Sequence, residues 1–286
     1  MEEKEIKALI SLLDDDDASI VSHVEEKILS MGNNVIPLLE TEWESNFNPV
    51  IQKKIEEIIH ALQFDDLKSR LVTWKENGGE DLLEGMWLIA TYMYPDIELL
   101  PLRQEIEQIY QEAWREFRPN VHPYDQVKIL NNVLFTTYKF SANTKNFHTP
   151  GNSMINVVLQ SKKGNPISLS VIYMLIAQKL EMPVFGVNLP NLFICTYKIP
   201  RLQFYINAFN RGLIFSRADI EQYVSHLHIT PVDMFFEPCT NLDIIKRVLR
   251  NLTVSFEKLG EYYRVDEIKI LLNSISSGDD DHNIIS

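Results

Sequence analysis

Apolar residues recur at helical spacing almost from the start of the chain. Ile6, Leu9, Ile10 and Leu13 form one stripe, and Ile20, Val24, Ile28 and Met31 form a second; both follow the three-to-four-residue period of an amphipathic helix. Ser19 is placed to cap the second helix and Gly32 to end it. Val35, Leu38 and Leu39 open a third helix with Pro37 in its first turn, and Ile51, Ile55, Ile58 and Leu62 mark a fourth. The pattern stays helical over 66–140. Leu82, Leu83, Met86, Trp87 and Ile89 predict a core helix, and Pro95-Asp96 breaks the chain. Leu102–Phe117 is long and amphipathic, with Trp114 and Phe117 expected in the core, and Pro119 and Pro123 precede a helix through Phe140. Asn143–Asn152 carries loop chemistry, and Ser153 starts the next helix.

From Gly164 the pattern changes. Asn165 is a good N-cap and Pro166 suits the first helical position, where a missing N–H removes no bond. Ile167, Val171, Ile172, Leu175, Ile176 and Leu180 then repeat at helical spacing, and Leu169 and Met174 fill much of the rest. Such a helix is buried on most sides. Three short runs rich in β-branched and aromatic residues follow: Val184–Leu189, Leu192–Tyr197 and Phe204–Ala208. Turn residues at Pro190-Asn191, Pro200 and Asn210-Arg211-Gly212 bound them, as they bound strands. Arg217–Leu227, Leu242–Leu259 and Tyr262–Ser276 read as helices again. The fold class expected is α+β, mostly α, with a small antiparallel sheet. The tail from residue 276 to 286 is acidic and expected to be disordered.

The 286 residues leave room for one substantial core plus an extension. A hydrophobic content of 45% and a charged content of 23% fit a globular protein. Forty acidic against 27 basic residues give a formal charge of −13, which argues against a nucleic-acid partner. The short basic clusters, Lys53-Lys54, Lys162-Lys163 and Arg247 with Arg250, read as exposed helix faces or turns. No apolar run approaches membrane-span length, and the acidic MEEKEIKALISLL start lacks the features of a signal peptide. With two cysteines there is no disulfide framework, so a cytoplasmic location without membrane association is expected.

The phrases NSMINVVLQSKKGNPISLSVIYMLIAQKLEMPVFGVNLPNLF and YINAFNRGLI resemble the SirB-type transglutaminase-like family of bacteria, a branch of the papain-type cysteine enzymes. Weaker matches are LLEGMWLIATYMYPDIE and IIKRVLRNLTVSFEKLGEYY, so the resemblance covers 65–275 and is strongest at 152–215. It implies a transglutaminase-like domain ending in a helical hairpin. It also implies positions for a Cys nucleophile at the helix start, a His on the following sheet and an Asn or Asp that orients the His. In this chain those positions fall at Pro166, at Leu192 (Pro190-Asn191-Leu192-Phe193 standing where the family has Pro-Gly-His-Phe) and at Asn207. Pro and Leu can neither attack a carbonyl nor carry a proton. In residues 1–64, LLDDDDASIVSHVEEKILSMGNNVIPLL resembles a HEAT-type repeat, with two helical pairs preceding the core.

Other residues offer little in their place. Cys195 lies in the apolar run LFICTY and Cys239 in a loop after Glu237-Pro238. Ser168 lies near the helix start, but a serine nucleophile needs a base, and His148, His226 and His228 are the nearest in sequence. His226 and His228 lack an acidic or Cys partner at ligand spacing, and Asp14–Asp17 lacks the alternation of a calcium loop, so no metal or other cofactor is expected. The function expected is a non-catalytic scaffold or protein-interaction module with a protein or peptide partner. The alternatives are an amide-bond enzyme with a rearranged catalytic set, and a small-ligand binder in the old groove. Asn165, Ser168, Asn188, Asn191, Tyr205 and Asn210 are the polar groove candidates.

Overall fold

The computed structural model describes residues 2–276. The acidic tail, apart from Ser276, lies outside the described residues. The chain divides into two compact units, one up to Arg70 and one from Leu71.

The first unit holds α1 (Glu2–Ile10), α2 (Ala18–Leu29), α3 (Ile36–Ser45) and the first part of α4 (Pro49–Glu76). Ile6, Ile10, Leu13, Val24, Ile28, Val35, Leu39, Ile51, Ile55, Ile58 and Leu62 meet in one buried cluster. These are largely the stripes expected from the helical period, since positions three and four apart share a face. Two details differ. Ile20 is 38% exposed, at the rim of the stripe. The N-cap of α2 is Asp17 rather than Ser19: its carboxylate accepts from the Ser19 backbone N–H at 2.9 Å. A residue two earlier thus satisfies the orphan amide that a cap must reach. α4 continues as one helix of 28 residues.

The second unit is built around one helix. In order it contains α5 (Leu82–Thr91), α6 (Leu99–Glu116), α7 (Pro123–Asn131), α8 (Ile155–Ser161), α9 (Pro166–Lys179), α10 (Arg217–His226), α11 (Asn241–Leu259) and α12 (Tyr262–Ile275). α9 packs against α5, α6, α8 and α11 on its sides and against the sheet. Its residues Ile167 to Met174 are all buried, together with Ile176 and Ala177. Each large apolar side chain fully buried this way contributes about 1.5–3 kcal/mol. Trp114 does not join the core: it is 61% exposed, whereas Phe117 is buried.

β1 (Ser141–Ala142) and β2 (Lys163–Gly164) form a two-residue parallel ladder. β3 (Val184–Leu189), β4 (Leu192–Ile199), β5 (Leu202–Asn207) and β6 (Leu213–Phe215) form an antiparallel meander in that order. β6 and the β1–β2 ladder are additions to the elements expected from the sequence. Two further departures flank the core. After α7 the helix widens to a π-type segment over Asn132–Thr137, so the expected helix through Phe140 changes its winding. The expected start of α8 at Ser153 is instead a 3₁₀ turn, Pro150–Ser153, before the helix begins at Ile155.

Candidate functional site

The start of α9 is fixed by a reciprocal cap. The Asn165 side chain accepts from Ser168 N–H at 2.9 Å, while the Asn165 N–H donates to the Ser168 hydroxyl at 3.1 Å. This capping box satisfies two orphan donors at once. The Asn165 carboxamide also donates to the Ser153 hydroxyl at 2.9 Å, tying α9 to the turn before α8. Ser168 is therefore fully buried and committed to the cap; the expectation that it could face the groove is not met.

A cleft of about 600 Å³ opens at this helix start. Asn165, Pro166 and Ile167 line it from α9, Asn191 and Phe193 from the β3–β4 hairpin, and Phe147 and His148 from the loop before α8. The opposite wall is α11 and α12, with Arg247, Arg250, Asn251, Thr253, Val254, Ser255 and Glu257 on the first and Lys269 and Leu272 on the second. A larger surface depression, about 820 Å³, lies along α6 and α9. Its charges neutralise one another, Arg103 with Asp81 at 2.5 Å and Lys179 with Glu107 at 3.0 Å, and it is remote from the start of α9.

The three positions that the family resemblance singles out do not converge on this cleft. Pro166 lines it. Leu192 packs instead with Val187, Leu189, Ile194 and Tyr205, in the layer that Ile220 and Val224 of α10 cover with Phe235 and Phe236. The cause is the strand period. Pro190-Asn191 is a two-residue turn with Asn191 at φ +57°, which pairs Leu189 directly with Leu192 and puts both on one face. The other face carries Gly186, Phe193 and Cys195. A β-carbon on Gly186 would lie 2.6 Å from Phe193 Cζ and 3.3 Å from Ile244 of α11, and the Cys195 thiol points at the Ser170 carbonyl of α9, 3.7 Å away. Phe193, not Leu192, is thus the β4 side chain that lines the cleft together with Pro166. Asn207 spends its carboxamide in its own turn, where Oδ1 accepts from Asn210 N–H at 3.2 Å.

The other groove candidates divide the same way. Asn165 and Asn191 line the cleft. Tyr205 donates its hydroxyl to the Phe236 carbonyl at 3.3 Å on the α10 side, and Asn210 contributes its backbone to the Asn207 turn. Asn188 Oδ1 is buried without a hydrogen-bond partner, but Asn188 does not line the cleft. The residues that sequence reasoning passed over are Arg247 and Arg250. Read as an exposed helix face, they line the cleft, and both are partly buried. Burial, and then the neighbouring Arg250 charge, lower the Arg247 pKa. The available signal was their place three apart, flanking the apolar stripe Ile244, Ile245, Val248, Leu249 and Leu252.

Among the described residues, the cleft lining at the start of α9 is Asn165, Pro166 and Ile167, none of them a nucleophile. The cleft's two hydroxyls bond to their own helix, Thr253 to the Leu249 carbonyl at 3.1 Å and Ser255 to the Asn251 carbonyl at 2.8 Å. Burial pushes the Cys195 and Cys239 thiols up to about 12, and neither lines the cleft. His148 does line it, in edge contact with the Phe147 ring at 5.1 Å between centroids. His226 and His228 are exposed at and beyond the end of α10. Among the described residues no group of three His, Cys, Asp or Glu is placed to hold a metal ion, and no helix is long and apolar enough to cross a membrane.

The chain is similar in sequence to several bacterial and animal proteins. The chain is 29% identical over 178 residues to a UPF0162 protein of Xylella fastidiosa, covering 60% of this chain and 63% of that one. It is 22% identical over 178 residues to the UPF0162 protein YchA of Escherichia coli K12, covering 61% of this chain and 66% of that one. It is also 25% identical over 223 residues to the human F-box only protein 21, covering 68% of this chain and 34% of that one. The chain therefore spans less than two thirds of the length of the Xylella relative and about a third of the human one. No solved structure matches. A family model described as the transglutaminase-like superfamily matches residues 101–250, from α6 through the sheet to the middle of α11. With its central capped helix and antiparallel meander lying inside that match, the chain belongs to the transglutaminase-like superfamily.

Proposed function

We propose that this chain is a non-catalytic member of the superfamily, of the SirB-type branch, which binds a protein or peptide partner rather than turning over a substrate. One observation carries the reading: where a nucleophile would stand at the start of α9, the cleft presents Pro166, and strand β4 contributes Phe193 to the lining rather than an imidazole. Attack on a carbonyl needs an activated nucleophile within hydrogen-bond reach of a base. His148 is the one imidazole in the cleft, and the hydroxyls there donate to helix carbonyls instead. The thiols are held neutral by burial, the opposite of a reactive cysteine's environment. The N-terminal helical pairs, which we assign to a HEAT-like extension of residues 1–64 before the transglutaminase-like domain of 65–275, add the kind of stacked-helix surface that suits a protein partner.

The test is turnover of peptide and glutamine-amide substrates by the purified full chain. No turnover is expected. Turnover that is abolished by His148→Ala would replace this reading with a rearranged enzyme.

A further inference from the structure

We propose that the cleft between the start of α9 and the α11–α12 pair binds an organic anion: a carboxylate or phosphate group carried on an apolar body. This goes beyond the question of turnover, because it rests on the α11 and α12 wall and not on the degenerate catalytic positions.

Arg247 and Arg250 stand three residues apart on α11, so both project to one face. Lys269 of α12 adds a third cation to the wall, and Glu257 is the single carboxylate that lines the cleft. Among the described residues no carboxylate lies within ion-pair distance of Arg247. The charged group that acts on it most is Arg250, which repels it. A partly buried guanidinium beside a like charge is unfavourable, and an anion placed at Arg247 would offset that cost. The planar donor fork of arginine matches carboxylate and phosphate oxygens in pairs. The positive end of the α9 dipole, at Asn165 to Ile167, faces the same space. Phe147, Phe193 and Leu272 supply apolar walls in a cleft of about 600 Å³, within the size range of small-molecule sites. The cations therefore select the charged end of a ligand and the rings its body.

The test is isothermal titration of the full chain with 3-phenylpropionate, phenyl phosphate and the neutral 3-phenylpropanamide. At least one of the two anions should bind saturably at millimolar concentration or below, and the amide should bind at least about tenfold more weakly. Which anion binds tells carboxylate from phosphate recognition. Arg247→Gln should weaken the anion about tenfold or more, and affinity should fall with added salt. Lys269→Gln, at an exposed position on α12, should weaken it without changing the melting temperature and serves if Arg247→Gln fails to fold. Arg247→Met should lose binding while melting at the same or a higher temperature, because a strained charge has been removed; an arginine with a purely structural role would lower it. Failure of both anions to bind, equal affinity for the amide, or unchanged affinity in both Gln variants would overturn the proposal.

Discussion

Gly212 sits at φ +74°, and a β-carbon there would come within 2.0 Å of Asn131 Oδ1. The contact is a real junction of the fold, since Asn131 Nδ2 donates to the Gly212 carbonyl at 3.0 Å and holds the end of α7 to the β5–β6 turn. Gly212→Ala should therefore destabilise by about 2 kcal/mol or more, from positive φ and overlap together. Urea denaturation measures this, and the cost should shrink when Asn131→Ala is added, because the two residues are coupled. The cysteines give a second residue-scale expectation. Burial lifts both thiols from an ordinary 9.0 to about 12. The folded state holds these protons when the unfolded chain has released them. Their contribution to stability is thus complete below pH 9 and falls as pH rises toward 12. In native protein both thiols should alkylate far more slowly than free cysteine near neutral pH, and at the free rate in denaturant. A rapid native reaction at either thiol would contradict the packing described.

At the scale of elements, the capped start of α9 makes the sharpest claim. Asn165→Ala removes the cap to Ser168 N–H and the bond to Ser153, and should cost about 1–2 kcal/mol. Ser168→Ala removes the reciprocal bond from the Asn165 N–H and the longer one that the hydroxyl donates to the Asn165 carbonyl at 3.3 Å, leaves the Asn165 cap and its tie to Ser153 in place, and should cost less; chemical denaturation of the two variants gives the order. This cap was readable from Gly-Asn-Pro alone, as was the burial of α9, because caps and periods are local. The orientation of β4 was not. Leu192, Phe193, Ile194, Cys195 and Tyr197 are apolar on both faces, since α9 covers one side and α10 the other. A strand buried on both faces loses the alternation that would assign its sides. A resemblance in sequence therefore set Leu192 beside Pro166, while the pairing of Leu189 with Leu192 turns it away. The π-type segment after α7 was hidden for another reason: Asn132–Thr137 keeps a helix-like pattern, and only the hydrogen-bond spacing differs. Arg247 and Arg250 were legible as a pair, but what they face depends on α12 and the hairpin folding back over α11.

For the whole molecule, the resemblance implies a framework in which chemistry would need a few side chains meeting at one helix start, here that of α9. The placement of β4 sharpens what restoring that chemistry requires. Pro166→Cys would put a thiol in the cleft, but Leu192→His would place its imidazole in the α10 layer. The Pro166→Cys, Leu192→His double variant should therefore stay inert, and burying the imidazole there should lower its stability. The most direct measurement of the central claim is turnover of peptide and glutamine-amide substrates by wild-type protein, run beside His148→Ala and Ser255→Ala. The account predicts no turnover in any of the three. Turnover by wild type that either substitution abolishes would contradict it and make the cleft an active site.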